Sequence, residues 1–319
     1  MGRSPSFLLA GRLKEKKGWC ALAASVIGRV FFCTLLLWNS AWAAPLQIER
    51  PEHRIRLALG SQFPFPQALQ RYQPLVNFLE RRIGIPMDLV QIPEASDQLR
   101  RFTQGSIDLA LVDGTFYWKY RSRLDLLGIQ SIRGSLKRRA LLAVSRAASI
   151  KAPADLGGKA MASVDDWDTL GTLWILSIAG PAAEPRFVRA SSYVGALQDV
   201  ILGKAEGAAV EEEVFQRYLS LYPRYRQSVR VIATSPFFSN LALVGRKTLS
   251  AAARREFKSV IHGMGETLGG AAVLAAIGIG GFVSVDPGFF KEEEMLLSRL
   301  ARFGAKGDLH GIPAAIFTK

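Results

Sequence analysis

The chain has 319 residues, enough for one large or two medium domains with sizeable cores. Nearly half of it is apolar (49%) and 21% is charged, which excludes a disordered or collagenous polypeptide. The formal charge is +14, but six basic residues (Arg3, Arg12, Lys14, Lys16, Lys17, Arg29) and one acid (Glu15) fall in the first 43 positions, leaving nine excess positive charges beyond them. The basic pairs of that remainder, Arg81-Arg82, Arg100-Arg101, Arg138-Arg139 and Arg254-Arg255, are scattered and carry no interleaved aromatics. They read as solvated faces and not as a nucleic-acid site. The excess charge favours anionic surfaces or an anionic partner.

In chain order, Arg29 precedes the apolar run 30–38, and a small-residue site ends at Ala43. That pattern predicts a cleaved signal peptide over 1–43. The run is shorter than the roughly 20 residues a membrane-spanning helix needs. Retention of 21–43 as an uncleaved anchor is the alternative. Both cysteines, Cys20 and Cys33, lie in this segment, so a mature chain starting at Ala44 has none. Disulfides, thiol catalysis and cysteine metal sites are thereby excluded from it, which suits an oxidising envelope compartment, the periplasm.

Residues 54–59 alternate apolar and basic positions and predict a strand. Helical spacing of Leu69, Tyr72, Leu75, Val76 and Leu79 predicts a helix over 67–82, stopped by Gly84. A strand at 87–92, a helix at 95–104 and a continuously apolar strand at 107–112 complete a β-α-β-α-β unit with a parallel sheet. A strand at 139–144 then leaves that unit. A turn at 153–159, strands at 160–164, 186–188 and 207–210, and helices at 168–179, 193–202 and 211–221 make a second α/β unit. Segments 229–232 and 240–244 lead back, followed by helices from 250. Leu268 to Val283 has no charge but contains five glycines, and reads as a buried helix and turn. The fold class is therefore α/β, with two interleaved lobes joined by a two-strand hinge: residues 44–145 and 236–319 form lobe I, and 146–235 form lobe II.

Three segments, QGSIDLALVDGTFY (104–117), ADLGGKAMASVD (154–165) and SSYVGALQDVILGKAEGAAV (191–210), together with GIGGFVSVD (278–286), resemble the periplasmic phosphate/phosphite/phosphonate-binding proteins of ABC transporters. The resemblance runs from about 54 to 290 and rests on the order and spacing of the segments. It implies a type II periplasmic-binding-protein fold that closes on a small ligand and delivers it to a membrane permease. A sensing or accessory module for another membrane partner is the alternative. It also implies a periplasmic, monomeric protein that is not an enzyme.

Ligands of α/β sheets sit beyond the carboxyl ends of strands. That rule marks Gln62 and Phe63 after the first strand, and Thr115 and Tyr117 after the third. On the second lobe it marks Asp168, Thr169, Thr172, Ser192, Tyr193 and Glu211. Where the family commonly has Ser-Thr-Ser-Gly, this chain has Asp168, Thr169, Leu170 and Gly171, and the family's nearby histidine falls at Tyr193. A carboxylate at a helix N-terminus satisfies the donors that would otherwise hold an oxyanion, and repels a phosphonate. The ligand is thus left between a phosphonate-like anion and a zwitterionic, cationic or neutral polar solute. Asp168 is an ordinary N-cap, a contact for a cationic group, or both. Tyr117 either lines the cleft or packs, Trp118 packs, and Asp113 orients the turn at Gly114. The acidic runs 211–213 and 292–294 read as solvated helix faces, with Glu211 alone reaching the cleft. His53, His262 and His310 have no metal spacing, and no nucleophile elbow or phosphate loop is present. No catalytic residue, metal or cofactor is expected.

Overall fold

The described elements between residues 54 and 112 follow the order their pattern predicts. The computed structural model describes residues 54–60, 65–92, 95–164, 170–180 and 183–305. The expected signal peptide and the candidates Gln62, Phe63, Asp168 and Thr169 lie outside them. Strands β1 (Ile55–Leu59), β2 (Met87–Gln91) and β3 (Leu109–Val112) are parallel, with β1 between the other two. Helix α1 (Phe65–Ile83) connects the first two and buries Tyr72, Leu75, Val76 and Leu79. Gly84, at φ 76°, ends it in the left-handed conformation that glycine adopts without a Cβ clash. Helix α2 (Ala95–Gln104) returns the chain to β3.

Beyond β3, where the sequence suggested a turn, lies the short helix α3 (Gly114–Tyr120). It is followed by β4 (Leu124–Ser131), a strand the sequence reading did not assign. Much later, β12 (Ala242–Arg246) inserts antiparallel between β3 and β4, and β13 (Gly281–Val283) pairs with the outer edge of β4. The first sheet therefore runs β13-β4-β12-β3-β1-β2.

The second sheet contains β6 (Ala140–Ser145), β7 (Ala160–Ser163), β8 (Arg186–Arg189), β9 (Gly207–Glu211) and β10 (Val229–Thr234), in the order β10-β6-β9-β7-β8. Strand β7 is parallel to β8 and β9, whereas β6 is antiparallel to β9 and β10. Helices α4 (Leu170–Ala179), α5 (Tyr193–Ile201) and α6 (Glu212–Leu221) belong to this lobe. The two crossings between lobes form their own antiparallel ribbon, β5 (Lys137–Arg138) with β11 (Phe238–Ser239), in which Arg138 faces Phe238. This ribbon is the two-strand hinge. Strand β6, which precedes the expected boundary at 145, pairs with both β9 and β10 in the second sheet.

Three more helices follow, α7 (Ala251–His262), α8 (Leu268–Ile277) and α9 (Lys291–Ala305). Leu57 and Leu243 of the first sheet pack with Leu75 of α1, Phe257 and Ile261 of α7 and Leu274 of α8 in one core layer. Phe102, Phe116 and Phe290 cover the sheet's other face. Helix α8 is buried along Gly270, Leu274 and Ile277 only, and Leu268 is 94% exposed, so the uncharged stretch is less buried than expected. Among the described residues no single helix is long and apolar enough to cross a membrane. Helix α9 contacts both α3 and α4, and its Leu296 and Leu300 join Leu170, Leu173 and Leu176 in a core that spans the two lobes.

Candidate functional site

The residue that organises the interlobe region is Arg138, on the hinge ribbon. Its guanidinium is ion-paired with Asp113, at the carboxyl end of β3, and lies 3.4 Å from Glu211, at the carboxyl end of β9. Its Nε donates to the Ser239 carbonyl across the ribbon at 3.3 Å. One side chain thus ties the first sheet, the second sheet and the hinge together. The Arg138 side chain is only 9% exposed, and Asp113 5%. Burial opposes the guanidinium charge, but Asp113 and Glu211 outweigh it and hold the arginine above its ordinary pKa. Asp113 starts α3 without capping it through its side chain, because that carboxylate is engaged by Arg138.

Around this triad lies a cavity of about 680 Å³, lined from both lobes. The first lobe contributes Arg71 and Tyr72 from α1, Gln130 and Ile132 from β4 and its turn, and Leu241. The second contributes Ser192, Tyr193 and Val194 at the start of α5, Glu211, and Glu213, Val214 and Arg217 of α6. The Tyr72 hydroxyl titrates above its usual range, chiefly because it is buried. Arg71 donates from Nε to the Ile277 carbonyl at the C-terminus of α8 (2.9 Å), where the helix dipole favours a cation. Arg133, at φ 51° in the tight turn between β4 and β5, reaches Glu213 of α6 at 3.2 Å and so links the lobes a second time. Ser192 caps α5, its Oγ accepting from the Gly195 amide at 3.1 Å, so the positive end of that helix dipole abuts the cavity.

Of the sequence-derived candidates, Ser192, Tyr193 and Glu211 are brought together here. Three others are placed elsewhere. Thr115 is buried inside α3 with no hydrogen-bond partner for Oγ1. Thr172 is buried under α4 and hydrogen-bonds Ser163. Tyr117 turns away from the hinge, packs on Phe290 (ring centroids 4.9 Å apart) and lines a separate cavity with Asp125 and Lys258. In each case the third strand or second-lobe strand does end near the cleft, but the helix it opens points these side chains into its own lobe. Trp118 packs as expected, stacking on Phe290.

Tyr72, which its helical spacing marks as core, is buried as expected and also borders the cavity. Sequence reasoning missed Arg138, grouped with solvated basic pairs. Arg139, its neighbour, does fit that reading better: it is partly exposed and bonds Glu212 at 2.6 and 2.7 Å. The available signal for Arg138 was its place just before the strand predicted at 139–144, with Asp113 and Glu211 directly after the strands predicted at 107–112 and 207–210. Glu293 also departs from its expected solvated face. It is 1% exposed, and its Oε1 accepts from the Ser239 amide at 2.7 Å. No group of three or more metal-ligating side chains occurs among the described residues.

Two α/β lobes on a two-strand hinge, with a cavity at the strand ends between them, define a type II periplasmic binding protein. The family model described as "ABC transporter, phosphonate, periplasmic substrate-binding protein" matches residues 61–288, and the chain belongs to that family. Solved structures with the same fold include XAC2383 from Xanthomonas citri bound to ATP, at 14% identity and a TM-score of 0.65, covering 79% of this chain and 98% of that one. A binding protein component of an ABC phosphonate transporter (PA3383) from Pseudomonas aeruginosa gives 14% and 0.64, covering 83% and 91%. PhnD1 from Prochlorococcus marinus in complex with methylphosphonate gives 13% and 0.63, covering 77% and 98%. At these identities the likeness is one of fold. No curated protein matches the sequence.

Proposed function

We propose that the chain captures a small phosphonate- or phosphate-like anion in the interlobe cleft of the periplasmic protein and presents it to the permease of an ABC transporter. The observation that carries this reading is the charge balance of the cavity. Four arginines (Arg71, Arg133, Arg138, Arg217) line it against two glutamates (Glu211, Glu213), and the N-terminus of α5 adds a positive dipole end. Tyr72, Ser192 and Tyr193 supply hydroxyls for orientation. Ligand contacts made by both lobes favour the closed arrangement, and only that difference in binding drives closure. The same binding role needs no acid–base or nucleophilic group, consistent with a transport protein. Cleavage after Ala43 releases the exported chain from its signal peptide.

A thermal-shift titration of the mature chain from Ala44 with phosphate, methylphosphonate, glycine and putrescine tests the assignment. A ligand at 100 times its dissociation constant stabilises the folded state by about 2.7 kcal/mol. Stabilisation by an anionic phosphorus compound, retained when sodium chloride is raised, is the expected result. A response to the amine or the zwitterion alone would overturn the anionic reading.

A further inference from the structure

The cavity is larger and more apolar than an inorganic anion requires. About 680 Å³ lies within the range of pockets that enclose drug-sized molecules. Its size does not reflect lobes standing apart, because Arg133 and Glu213 approach within 3.2 Å across it and Arg138 joins both sheets. Ile132 and Leu241 of the first lobe face it together with Val194 and Val214 of the second. Val194 is 40% exposed, an apolar side chain left open at the start of a helix in which Ala196, Leu197 and Val200 are fully buried. Ile132 and Val214 are half-buried and Leu241 is buried, so Val194 is the most open of the four, and apolar surface left open in a concave site marks a contact for an apolar group. The charges are arranged differently. Arg138 is compensated by Asp113 and Glu211, and Arg133 by Glu213. Arg217, one turn along α6 from Val214 and Glu213, has no carboxylate partner among the described residues and is exposed. The cavity therefore offers an uncompensated cation beside an apolar wall.

We infer that the cleft selects an organophosphonate with a bulky apolar substituent, aryl or branched alkyl, seated against Ile132, Val194, Val214 and Leu241 while its anionic head engages arginine. This rests on the phosphonate reading above and narrows it. Methylphosphonate and phosphate would leave the apolar wall wetted, and each methylene added in an apolar pocket is worth on the order of tenfold in discrimination. Isothermal titration of the mature chain with phosphate, methylphosphonate and phenylphosphonate separates the two levels. Phenylphosphonate is expected to bind about tenfold or more tightly than methylphosphonate. Val194→Ser, an exposed position whose change leaves the core intact, is expected to reduce that ratio several-fold by weakening phenylphosphonate more than methylphosphonate. Arg217→Gln is expected to weaken both phosphonates alike. Equal affinities for the two phosphonates would overturn the apolar selection and leave the anion-binding role standing. A preference that survives both Val194→Ser and Val214→Ser would overturn the assignment of the wall. Failure of every phosphorus ligand in the wild-type chain would remove both the inference and the reading beneath it.

Discussion

Arg138 carries three obligations with one guanidinium, and this sets the consequence of losing it. Moving a charge out of water is expensive, and the cost is met here only because Asp113 and Glu211 are both in place. Truncation to an apolar residue leaves Asp113, which is 5% exposed, as a buried carboxylate with no cation. Arg138→Met is therefore expected to lower stability by about 3–5 kcal/mol, read from urea unfolding of the ligand-free chain. Adding Asp113→Asn and Glu211→Gln to that variant should recover much of the loss, because the penalty belongs to the stranded charges more than to the missing attraction. If Arg138→Met alone unfolds at the wild-type urea midpoint, the triad is solvated and the burial argument fails. The pair Arg138-Arg139 also shows what a one-dimensional reading cannot resolve. Arg138 ends β5 and Arg139 links it to β6, and of these two identical side chains one is buried in the hinge and the other bonds a helix at the surface.

At the level of elements, helix α9 anchors the hinge ribbon through its first turn. Glu293 accepts the Ser239 amide with one oxygen, while its other oxygen, the Ser239 hydroxyl and the Thr115 hydroxyl have no hydrogen-bond partner. Gly114 permits this junction, since a Cβ there would lie 1.8 Å from the Ser239 hydroxyl oxygen. Burial raises the Glu293 carboxyl above its ordinary range, while the hydrogen bond it accepts from the Ser239 amide and the nearby Lys137 act in the opposite direction. The folded state then keeps a proton that the unfolded chain releases, so this residue's contribution to stability falls as pH rises from the ordinary carboxylate value towards the raised one. Glu293→Gln is expected to gain melting temperature relative to wild type as pH is raised from about 4 to 8, taking about 4.3 as the ordinary value. A constant difference across that range would mean the carboxylate is already ionised in its pocket. Little of this junction was legible beforehand. Strands β1 to β3 declared themselves by alternation or by unbroken apolar runs between helices, and α1 by its spacing. Strand β4 did not, because Asp125, Gly128 and Gln130 interrupt its apolar residues. Gly128 is tolerated there because a Cβ would crowd Phe282 at 3.0 Å, a contact made only when β13 arrives from more than 150 residues further along the chain. The site was legible to the extent that strand ends locate it. Which side chains face the cavity depends on where each following helix turns, and Thr115, Tyr117 and Thr172 turn inwards.

On the scale of the whole molecule, the lobes are joined by links of very different strength, and magnitude decides what each one controls. Buried contacts of α9 with α4 and the Arg138 triad are part of the folded core, so they resist opening and unfolding together. The Arg133–Glu213 pair differs, with side chains 79% and 41% exposed. Exposed pairs of this kind contribute about 0–1 kcal/mol and are screened by salt. A link of that size cannot hold the protein shut against a ligand-driven equilibrium. It shifts the ratio of closed to open forms by at most about fivefold, because about 1.4 kcal/mol is needed for a factor of ten. The turn that carries Arg133, in the left-handed region at φ 51°, nevertheless fixes the residue where the second lobe meets it when the lobes approach. Glu213→Gln is therefore expected to leave the melting temperature within error of wild type and to change ligand affinity by no more than about fivefold, an effect that fades at high ionic strength. Calorimetry of that variant at two salt concentrations checks both halves. A loss of affinity beyond tenfold that persists in high salt would place Glu213 in direct contact with the ligand instead of on the lobe opposite it. The wall assigned to the apolar substituent would then have to accommodate a cationic group as well.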